Sequence, residues 1–359
     1  MKLRVGLLFG GRSVEHEVSI ASASSIFRAL DPAHYEVILV AIDHDGRWHL
    51  APPAIAPQSS IAGEEVRLTP VPGESWLVSE SAASPVAQID VVFPIVHGQG
   101  GEDGSLQGLL ELAEVPYVGS GLLGSAIQMD KEVSKRLLRA AGLPVLPWTA
   151  VRSGELARDP DGVTRRVAAE LGLPVFVKPA NLGSSVGISR VREAAQLLPA
   201  LREAARYDTK LLIECGIAAR DIEVALLGGD PVEASVPGEI RTRREFYDYE
   251  AKYVDEDTEL LVPAPVSDAV ASHLRETAIE AFQALEGFGL GRVDFLVDRA
   301  SDEIFVNEVN SLPGFTEVSM YPRLWEASGV PYPALLDRLI ELALERHRAR
   351  KALETQYRR

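Results

Sequence analysis

Four polar side chains on two neighbouring segments have the spacing of a metal site. In "GRVDFLVDRASDEIFVNEVN", Arg292 and Asp294 lie two residues apart on one predicted strand, and Glu308 and Asn310 lie two apart on the next. Alternate residues of a strand share a face, so a hairpin would bring three oxygen ligands together. Such ligands are typical of Mg²⁺ held beside phosphates. A surface salt-bridge patch would explain a single acid pair, but the double pattern favours a metal site.

A second motif offers a site for phosphate oxygens. In "KPANLGSSVG", a predicted strand carries Lys178, and a loop with Gly183, Ser184 and Ser185 follows. Backbone N–H groups of such a loop can bind phosphate, although the Walker pattern G-x-x-x-x-G-K-[ST] is absent. By itself a Gly-Ser loop is usually only a turn, and Lys131, at the start of a predicted helix, would usually be solvated.

Two further candidates follow predicted strands near the N-terminus. In "FGGRSVEHEVS", Glu15 opens a helix, where a carboxylate could receive a substrate ammonium group, although acids favour the first turn of any helix. In "VHGQGGEDGSLQG", His97 follows a strand, at the edge of an α/β sheet where ligands bind. For His97 alone, a core or capping role is equally open. The dinucleotide pattern G-x-G-x-x-G is missing.

Composition excludes several classes of protein. The 359 residues suggest two or three domains, and the formal net charge of −16 disfavours a general nucleic-acid binder, which needs basic surface. The single cysteine, Cys215, argues against a disulfide framework or a zinc cluster and favours a reducing compartment. The first apolar run, residues 5–9, is too short for a signal peptide, and no stretch approaches a membrane span. We therefore expect a soluble, cytoplasmic protein.

The elements that position these residues predict three α/β units. "LRVGLLFGG", a helix over 14–30 and "YEVILVAI" form a βαβ opening, and the first domain extends to residue 120 as a parallel sheet. Within it, residues 51–88 are rich in Pro, Ser and Ala without sustained periodicity, which indicates an insertion or a flexible connection. Residues 121–214 form a smaller α/β domain, and residues 215–359 carry the hairpin and the last helices.

The stretch "EFYDYEAKYVDED", residues 245–257, places Tyr247, Tyr249 and Tyr253 among acids and one lysine. It has neither the alternation of a strand nor the period of an amphipathic helix. We interpret it as a loop, in which Tyr247 and Tyr249 could equally fill a core.

Taken together, these motifs resemble the D-alanine:D-alanine ligases of the ATP-grasp superfamily. "FGGRSVEHEVS", "HGQGGEDGSLQG", "KPANLGSSVG", "EFYDYEAKY", "GRVDF" and "NEVNSLPGFTEVSMYP" occur in the family's order. The resemblance covers roughly residues 3–324 and is weakest over 51–88 and the final helix. It implies a three-domain ligase with a Rossmann-like, parallel N-terminal sheet and an α+β ATP-grasp part.

The resemblance also implies a set of ATP and metal contacts. ATP would lie between the second and third domains, with Lys131 and Lys178 on its phosphates, Glu214 at the adenine and Glu223 at the ribose. Asp294, Glu308 and Asn310 match the ligands of two Mg²⁺ ions, for which Mn²⁺ can substitute.

The implied reaction joins two D-alanines through D-alanyl phosphate, for peptidoglycan precursor synthesis and hence cell-wall biogenesis and cell shape. Glu15 would hold the first ammonium group, with His97 nearby. Arg292 and the N–H of Gly314 would stabilise the oxyanion, and Ser319 would bind the second carboxylate. The family is usually homodimeric and cytoplasmic.

The tyrosine stretch resembles the family's mobile lid, which we expect over 241–261. Lys252 would reach the γ-phosphate, and Tyr253 would hydrogen-bond to Ser184 and Glu15, so that closure excludes water from the acyl phosphate. Two positions depart from the commonest family pattern: Ser311 replaces a frequent threonine and Asp221 a usual glutamate.

Two other functions remain open. One is a related ligase that makes D-alanyl-D-lactate or D-alanyl-D-serine; the Tyr253 motif disfavours lactate, whereas D-serine depends on the pocket around Ser319 and Met320. The other is a non-catalytic ATP-binding regulator, against which the complete set of metal ligands and Arg292 argue.

Overall fold

The computed structural model describes residues 2–52, 63–241 and 259–354. A seven-stranded sheet comes first, in the order β6-β5-β4-β3-β2-β1-β7. Its strands β1 (Leu3–Gly10), β2 (Tyr35–Ile42) and β7 (Val91–Pro94) are parallel, and helix α1 (His16–Ala29) connects the first two. The predicted βαβ opening is therefore confirmed.

The rest of this sheet contradicts a flexible connection for residues 63–88, whereas 53–62 lie outside the described residues. Strands β3 (Trp48–Leu50), β4 (Glu64–Leu68), β5 (Trp76–Ser79) and β6 (Pro85–Gln88) extend it in antiparallel fashion. The sheet is thus mixed rather than parallel, and 63–88 is not a flexible connection. These strands have three to five residues each, too few to show a sustained period, yet Val66, Leu68 and Leu77 are buried in the core beneath them.

A four-stranded antiparallel sheet, in the order β10-β9-β11-β8, forms the middle of the chain. Its strands are β8 (Trp148–Arg152), β9 (Val175–Pro179), β10 (Ser189–Val191) and β11 (Lys210–Cys215). Helix α2 (Ser105–Leu112) packs on the first sheet, since its Leu106 and Leu110 share a core with Val92 on β7. The helices that follow along the chain are α3 (Leu122–Met129), α4 (Lys131–Ala140), α5 (Ser153–Arg158), α6 (Pro160–Leu171) and α7 (Ala194–Ala204). Val167 on α6 and Leu201 on α7 pack in one core with Val177 on β9. That packing holds β9 and the Gly-Ser loop after it.

The third sheet carries the predicted hairpin. Its strands run antiparallel in the order β15-β14-β12-β16-β17, with β13 also pairing with β12. They are β12 (Ala219–Gly228), β13 (Val232–Ala234), β14 (Gly238–Arg241), β15 (Glu259–Leu261), β16 (Gly289–Asp298) and β17 (Ile304–Asn310); the helices are α8 (Asp268–Ala284), α9 (Met320–Ala327) and α10 (Tyr332–Lys351). Along β16, Val293, Phe295 and Val297 are buried in the core that also contains α8 residues. Arg292 and Asp294 therefore lie on the opposite face.

Aromatic packing joins the first and third sheets. Phe315 contacts Phe93 with ring centroids 5.9 Å apart. Tyr321 donates a hydrogen bond to the carbonyl of Leu226 (2.9 Å), and Tyr332 to that of Phe315 (2.7 Å). The turn between β17 and α9 is thereby fixed against both units. The domain boundaries at 120 and 214 stay a prediction.

Within the three described ranges, no helix combines the length and apolar character that a membrane crossing requires.

Candidate active site

The three sheets border one cavity of about 870 Å³. Every predicted site residue that the structure describes lines it: Glu15, His97, Lys131, Lys178, Ser184, Glu214, Glu223, Arg292, Asp294, Glu308, Asn310, Gly314 and Ser319. Lys252 and Tyr253, like Tyr247 and Tyr249, lie outside the described residues. Residues up to 304 positions apart in the sequence thus converge, although their individual roles stay predictions.

The hairpin places its oxygen atoms as the spacing predicted. Strand register pairs Asp294 with Glu308 and Arg292 with Asn310, with an irregularity directly after Asp294. The Nδ2 of Asn310 donates to Asp294 (2.9 Å). A rotation of that amide would turn its oxygen toward an ion shared with Asp294. Two carboxylates and one amide oxygen on a single sheet face fit Mg²⁺ well.

Arg292 lies directly against these acids. Its guanidinium binds both carboxylate oxygens of Asp294, at 2.6 and 2.7 Å, and Nε lies 3.0 Å from Glu223. This two-point contact fixes the plane of the guanidinium. Glu223, which the family resemblance assigns to the ribose, thus lies in the same ion-paired group as Arg292 and Asp294, and its ribose contact stays a prediction.

A buried cluster of opposite charges forms the wall near β9 and β11. Lys178 donates to Glu214 at 2.8 Å, and Lys135 forms a second ion pair with the same carboxylate. Burial would raise the pKa of Glu214, but the two ammonium groups outweigh it and lower that pKa. Burial likewise disfavours charged Lys178, yet Glu214 raises its pKa overall. Lys178 is therefore held as a cation at the cavity wall.

Lys135 is a residue that the sequence reasoning missed. It is only 1% exposed, and burial lowers its pKa despite the nearby Glu214. Its position in "DKEVSK", four residues after Lys131, places both lysines on one face of α4. That spacing was the available signal, and the partner on β11 was not visible in the sequence.

Replacing Lys135 with methionine should destabilise the protein by about 3 kcal/mol, because it removes one partner of a buried ion pair. Urea unfolding at neutral pH measures the loss. Arg136 provides a control on the same helix, since its side chain is 61% exposed and pairs with Glu132. Arg136→Met should cost less than about 1 kcal/mol. Equal losses for the two variants would contradict a special role for the buried pair.

The Gly-Ser loop meets Glu15 from across the cavity. Ser184 donates a hydrogen bond to the Glu15 carboxylate. Gly183 and Gly98 approach it so closely that a Cβ on either would lie 2.9 or 2.8 Å from Glu15 Oε2. Gly98 also has a φ of 76°, in the region that favours glycine. The chain thus holds a buried carboxylate between two backbone segments.

His97 links the first sheet to the turn that carries Gly314. Its Nδ1 lies 3.1 Å from the carbonyl of Leu312, and its Nε2 lies 3.3 Å from Ser22 Oγ, which accepts a hydrogen bond from the N–H of Phe315. A carbonyl only accepts, so these contacts assign the proton to Nδ1. Burial lowers the pKa of His97, although Glu15 acts in the opposite direction. His97 is therefore neutral and orients the turn.

The neutral state of His97 predicts a pH dependence of stability. A histidine in the unfolded chain titrates at about pH 6.5, whereas folded His97 takes up its proton at lower pH. Neutral His97 therefore stabilises the folded protein fully above about pH 6.5, and this contribution to the free energy of unfolding falls as the pH drops. The slope for one proton is at most about 1.4 kcal/mol per pH unit. The free energy of unfolding, measured with urea, should fall less steeply between pH 7 and pH 5 for His97→Asn than for wild type. The exposed His34 is the control, and equal slopes for His97→Asn and wild type would refute the assignment.

Glu102 is a second functional candidate that sequence reasoning missed. It lines the cavity and accepts a hydrogen bond from the N–H of Gly98. Burial, followed by the nearby Glu15 carboxylate, raises its pKa well above the ordinary value. An acid within "GQGGEDG" was visible, but only the fold shows that it faces Glu15.

The turn before α9 supplies the remaining groups. Ser319 accepts a hydrogen bond from the N–H of Thr316 (3.1 Å) and contacts Thr316 Oγ1 (2.7 Å). A Cβ at Gly314 would lie 3.2 Å from Ser319 Oγ. Gly314 and Ser319 are therefore adjacent on the cavity wall, with Met320 beside them. Ser311, at the start of the same turn, also lines the cavity, as does Asp221 on β12.

Comparison with known proteins gives a consistent result. Residues 4–120 match the family model "D-ala D-ala ligase N-terminus", and residues 137–341 match "D-ala D-ala ligase C-terminus". The chain is 48% identical to the D-alanine–D-alanine ligase of Heliobacterium modesticaldum, covering 99% of this chain and 98% of that relative. It is 47% identical to D-alanine–D-alanine ligase A of Salmonella typhimurium, covering 99% of both.

Solved structures extend the comparison to the fold. The D-alanine-D-alanine ligase from Coxiella burnetii superposes with a TM-score of 0.85 at 38% identity, over 98% of this chain and 96% of that one. VanG D-Ala:D-Ser ligase from Enterococcus faecalis gives the same TM-score at 31% identity, and the match covers 96% of this chain and 100% of that one. On these matches the chain belongs to the D-alanine–D-alanine ligase family, and it is a ligase with the ATP-grasp fold.

Proposed function

We propose that this enzyme joins two D-alanines into D-alanyl-D-alanine with conversion of ATP to ADP and phosphate. The observation that carries the proposal is a single cavity that contains a buried carboxylate, Glu15, and the Arg292–Asp294 hairpin. The first suits an ammonium group, and the second suits a phosphate with its metal. An amino acid bound by Glu15 would therefore extend its carboxylate toward the γ-phosphate.

ATP is proposed to bind between the sheets of β9–β11 and β12–β17. Lys131 and Lys178 reach the cavity from different elements and would contact the phosphates. Lys131 Nζ already lies 3.3 Å from Glu308, at the metal hairpin. Glu214 would face the adenine and Glu223 the ribose, as the family resemblance implies.

Asp294, Glu308 and Asn310 are proposed to hold two Mg²⁺ ions, for which Mn²⁺ can substitute. When bound, the metal would offset negative charge on the triphosphate and on the carboxylate that attacks it. Lys131, beside Glu308, adds positive charge at the same place.

In the first proposed step, a carboxylate oxygen of the first D-alanine attacks the γ-phosphorus, and the bond to the bridging oxygen of ADP breaks. In the second, the deprotonated amine of the other D-alanine attacks the carbonyl carbon of D-alanyl phosphate, and phosphate leaves with the electrons of its C–O bond. Arg292 and the N–H of Gly314 would stabilise the oxyanion between these events. Ser319 would bind the carboxylate of the second D-alanine.

Residues 241–261 are proposed as a lid, with Lys252 on the γ-phosphate and Tyr253 hydrogen-bonded to Ser184 and Glu15. The family resemblance supports this proposal. The flanking strands support it too, because β14 and β15 pair Arg241 with Glu259 and so bring the two ends of the segment together. The family resemblance also supports a cytoplasmic homodimer that supplies peptidoglycan precursors.

A product panel tests the proposed function. Purified protein with ATP and Mg²⁺ is given D-alanine alone, or D-alanine together with D-serine or D-lactate, and the products are identified by mass. D-alanyl-D-alanine should dominate. D-serine is the second candidate acceptor, because the solved VanG D-Ala:D-Ser ligase covers 96% of this chain. If ADP is released at the same rate with and without D-alanine, the protein would instead be a nucleotide-binding regulator.

A further inference from the structure

Three side chains with nitrogen and oxygen donors meet where α1 begins. His16 and Glu17 are the first residues of α1, and His44 lies in the loop after β2. One ligand atom from each lies within 4.8 Å of the other two. Glu17 also lines the cavity, whereas neither histidine does. The cluster therefore borders the active site without belonging to the residues used above.

The buried member, His16, has one of its two ring nitrogens held by the backbone. It is 5% exposed, and its Nδ1 lies 2.7 Å from the carbonyl oxygen of Gly11. Because a carbonyl only accepts, Nδ1 carries the proton and Nε2 presents a lone pair. Within the part of the chain that the structure describes, Nε2 has no hydrogen-bond partner. Metal-binding histidines typically have this arrangement, with the other nitrogen bonded to a carbonyl or carboxylate.

The two exposed members can adjust to an ion. The His44 ring stacks on that of His16 with centroids 4.0 Å apart and planes 26° apart. Nearly parallel rings do not direct both lone pairs to one point, so binding requires the His44 ring to turn. That rotation is inexpensive because His44 and Glu17 are both exposed.

We propose that His16, Glu17 and His44 form a binding site for Zn²⁺, separate from the Mg²⁺ ligands of the hairpin. Two imidazole nitrogens and one carboxylate oxygen are a ligand set that Zn²⁺ takes, with water in the fourth position. Mg²⁺ is excluded by the same chemistry, since it prefers oxygen ligands. The site thus distinguishes the two metals by donor type.

Zinc bound there would inhibit the ligase, a consequence that rests on the proposed function. Glu15, the proposed ammonium receptor, directly precedes His16, and Glu17 would lend its carboxylate to the metal. A dication beside the ammonium site opposes a cationic substrate group. The KM for D-alanine should therefore rise by about tenfold or more at saturating Zn²⁺, with a smaller change for ATP.

Calorimetric titration with Zn²⁺, in excess Mg²⁺ to occupy the hairpin, tests the site itself. Wild type should bind one Zn²⁺ that His44→Ala binds about tenfold or more weakly, whereas the exposed His34→Ala should bind as wild type does. Asp294→Asn should keep this site. Binding that survives His44→Ala, or that is lost in Asp294→Asn, would overturn the proposal. His44 is exposed, so its replacement should leave the fold and the basal activity unchanged.

Two further measurements distinguish metal binding at the site from its effect on the ligase reaction. Co²⁺ in place of Zn²⁺ should give the strong visible absorption of a tetrahedral centre, and His44→Ala should lose it; this result is independent of any ligase activity. Inhibition by Zn²⁺ should shift to higher concentration in His44→Ala. A KM for D-alanine that does not move at saturating Zn²⁺ would overturn the inhibitory role.

Discussion

Asp294→Asn is expected to lower kcat about a thousandfold, because it removes the negative charge of a proposed metal ligand, and a metal ion there would stabilise the transferring phosphate by several kcal/mol. The strand should form as before, since the side chains have nearly the same shape and Val293 and Phe295 still fill the core. Product formation at saturating ATP, D-alanine and Mg²⁺ measures the loss. Glu308→Gln should give a loss of similar size.

Asp302 provides the matched control for this substitution. It lies at the exposed turn between β16 and β17 with a φ of 58°, which asparagine tolerates as well as aspartate. Asp302→Asn should therefore retain wild-type kcat and stability. Near-normal turnover of Asp294→Asn at high Mg²⁺ would show that the hairpin does not hold the catalytic metal.

Arg292→Ala is expected to reduce kcat by about 100- to 1000-fold, the usual effect of losing an oxyanion donor. The loss should appear in kcat more than in either KM, because the negative charge that Arg292 is proposed to stabilise develops only during the reaction. Arg292→Lys should recover only part of the rate, since an ammonium group cannot reproduce the two-point contact with Asp294. Steady-state kinetics in both substrates measure these changes.

Arg338 is the control for a lost arginine, because it lies on α10 and pairs with Glu233 outside the cavity. Arg338→Ala should leave kcat and both KM values unchanged. If Arg292→Ala instead raised only the KM for ATP, Arg292 would be a nucleotide-binding residue.

The hairpin was predictable because the sequence pattern that specifies it lies within two short neighbouring segments. Arg292 and Asp294, like Glu308 and Asn310, are separated by the two-residue period of a strand, and the buried Val293 and Phe295 decide which face they take. The order of motifs, through the family resemblance, then supplied the residues that share the cavity. These features depend on short stretches of sequence.

Partners distant in the sequence were not predictable in the same way. Lys135 and Glu214 are brought together by the packing of α4 near β11, and nothing local in either segment identifies the other. Glu102 faces Glu15 only because the loop after β7 folds back at Gly98. Strands β4 to β6 were missed since each is too short to show a period and depends on its neighbours in the sheet.

The ion pair between Lys131 and Glu308 would couple the binding of the proposed nucleotide to the binding of Mg²⁺. Lys131 lies 3.3 Å from Glu308, so Lys131 and a metal ion would compete for the same carboxylate. A phosphate group that binds Lys131 would leave Glu308 available for the metal. A metal at Glu308 would in turn leave Lys131 available for the phosphate. Nucleotide and Mg²⁺ should therefore bind with positive cooperativity, each raising the affinity for the other by the same factor. Coupling free energies of this kind are about 1–3 kcal/mol. The enzyme would thus discriminate against metal-free nucleotide even before catalysis begins.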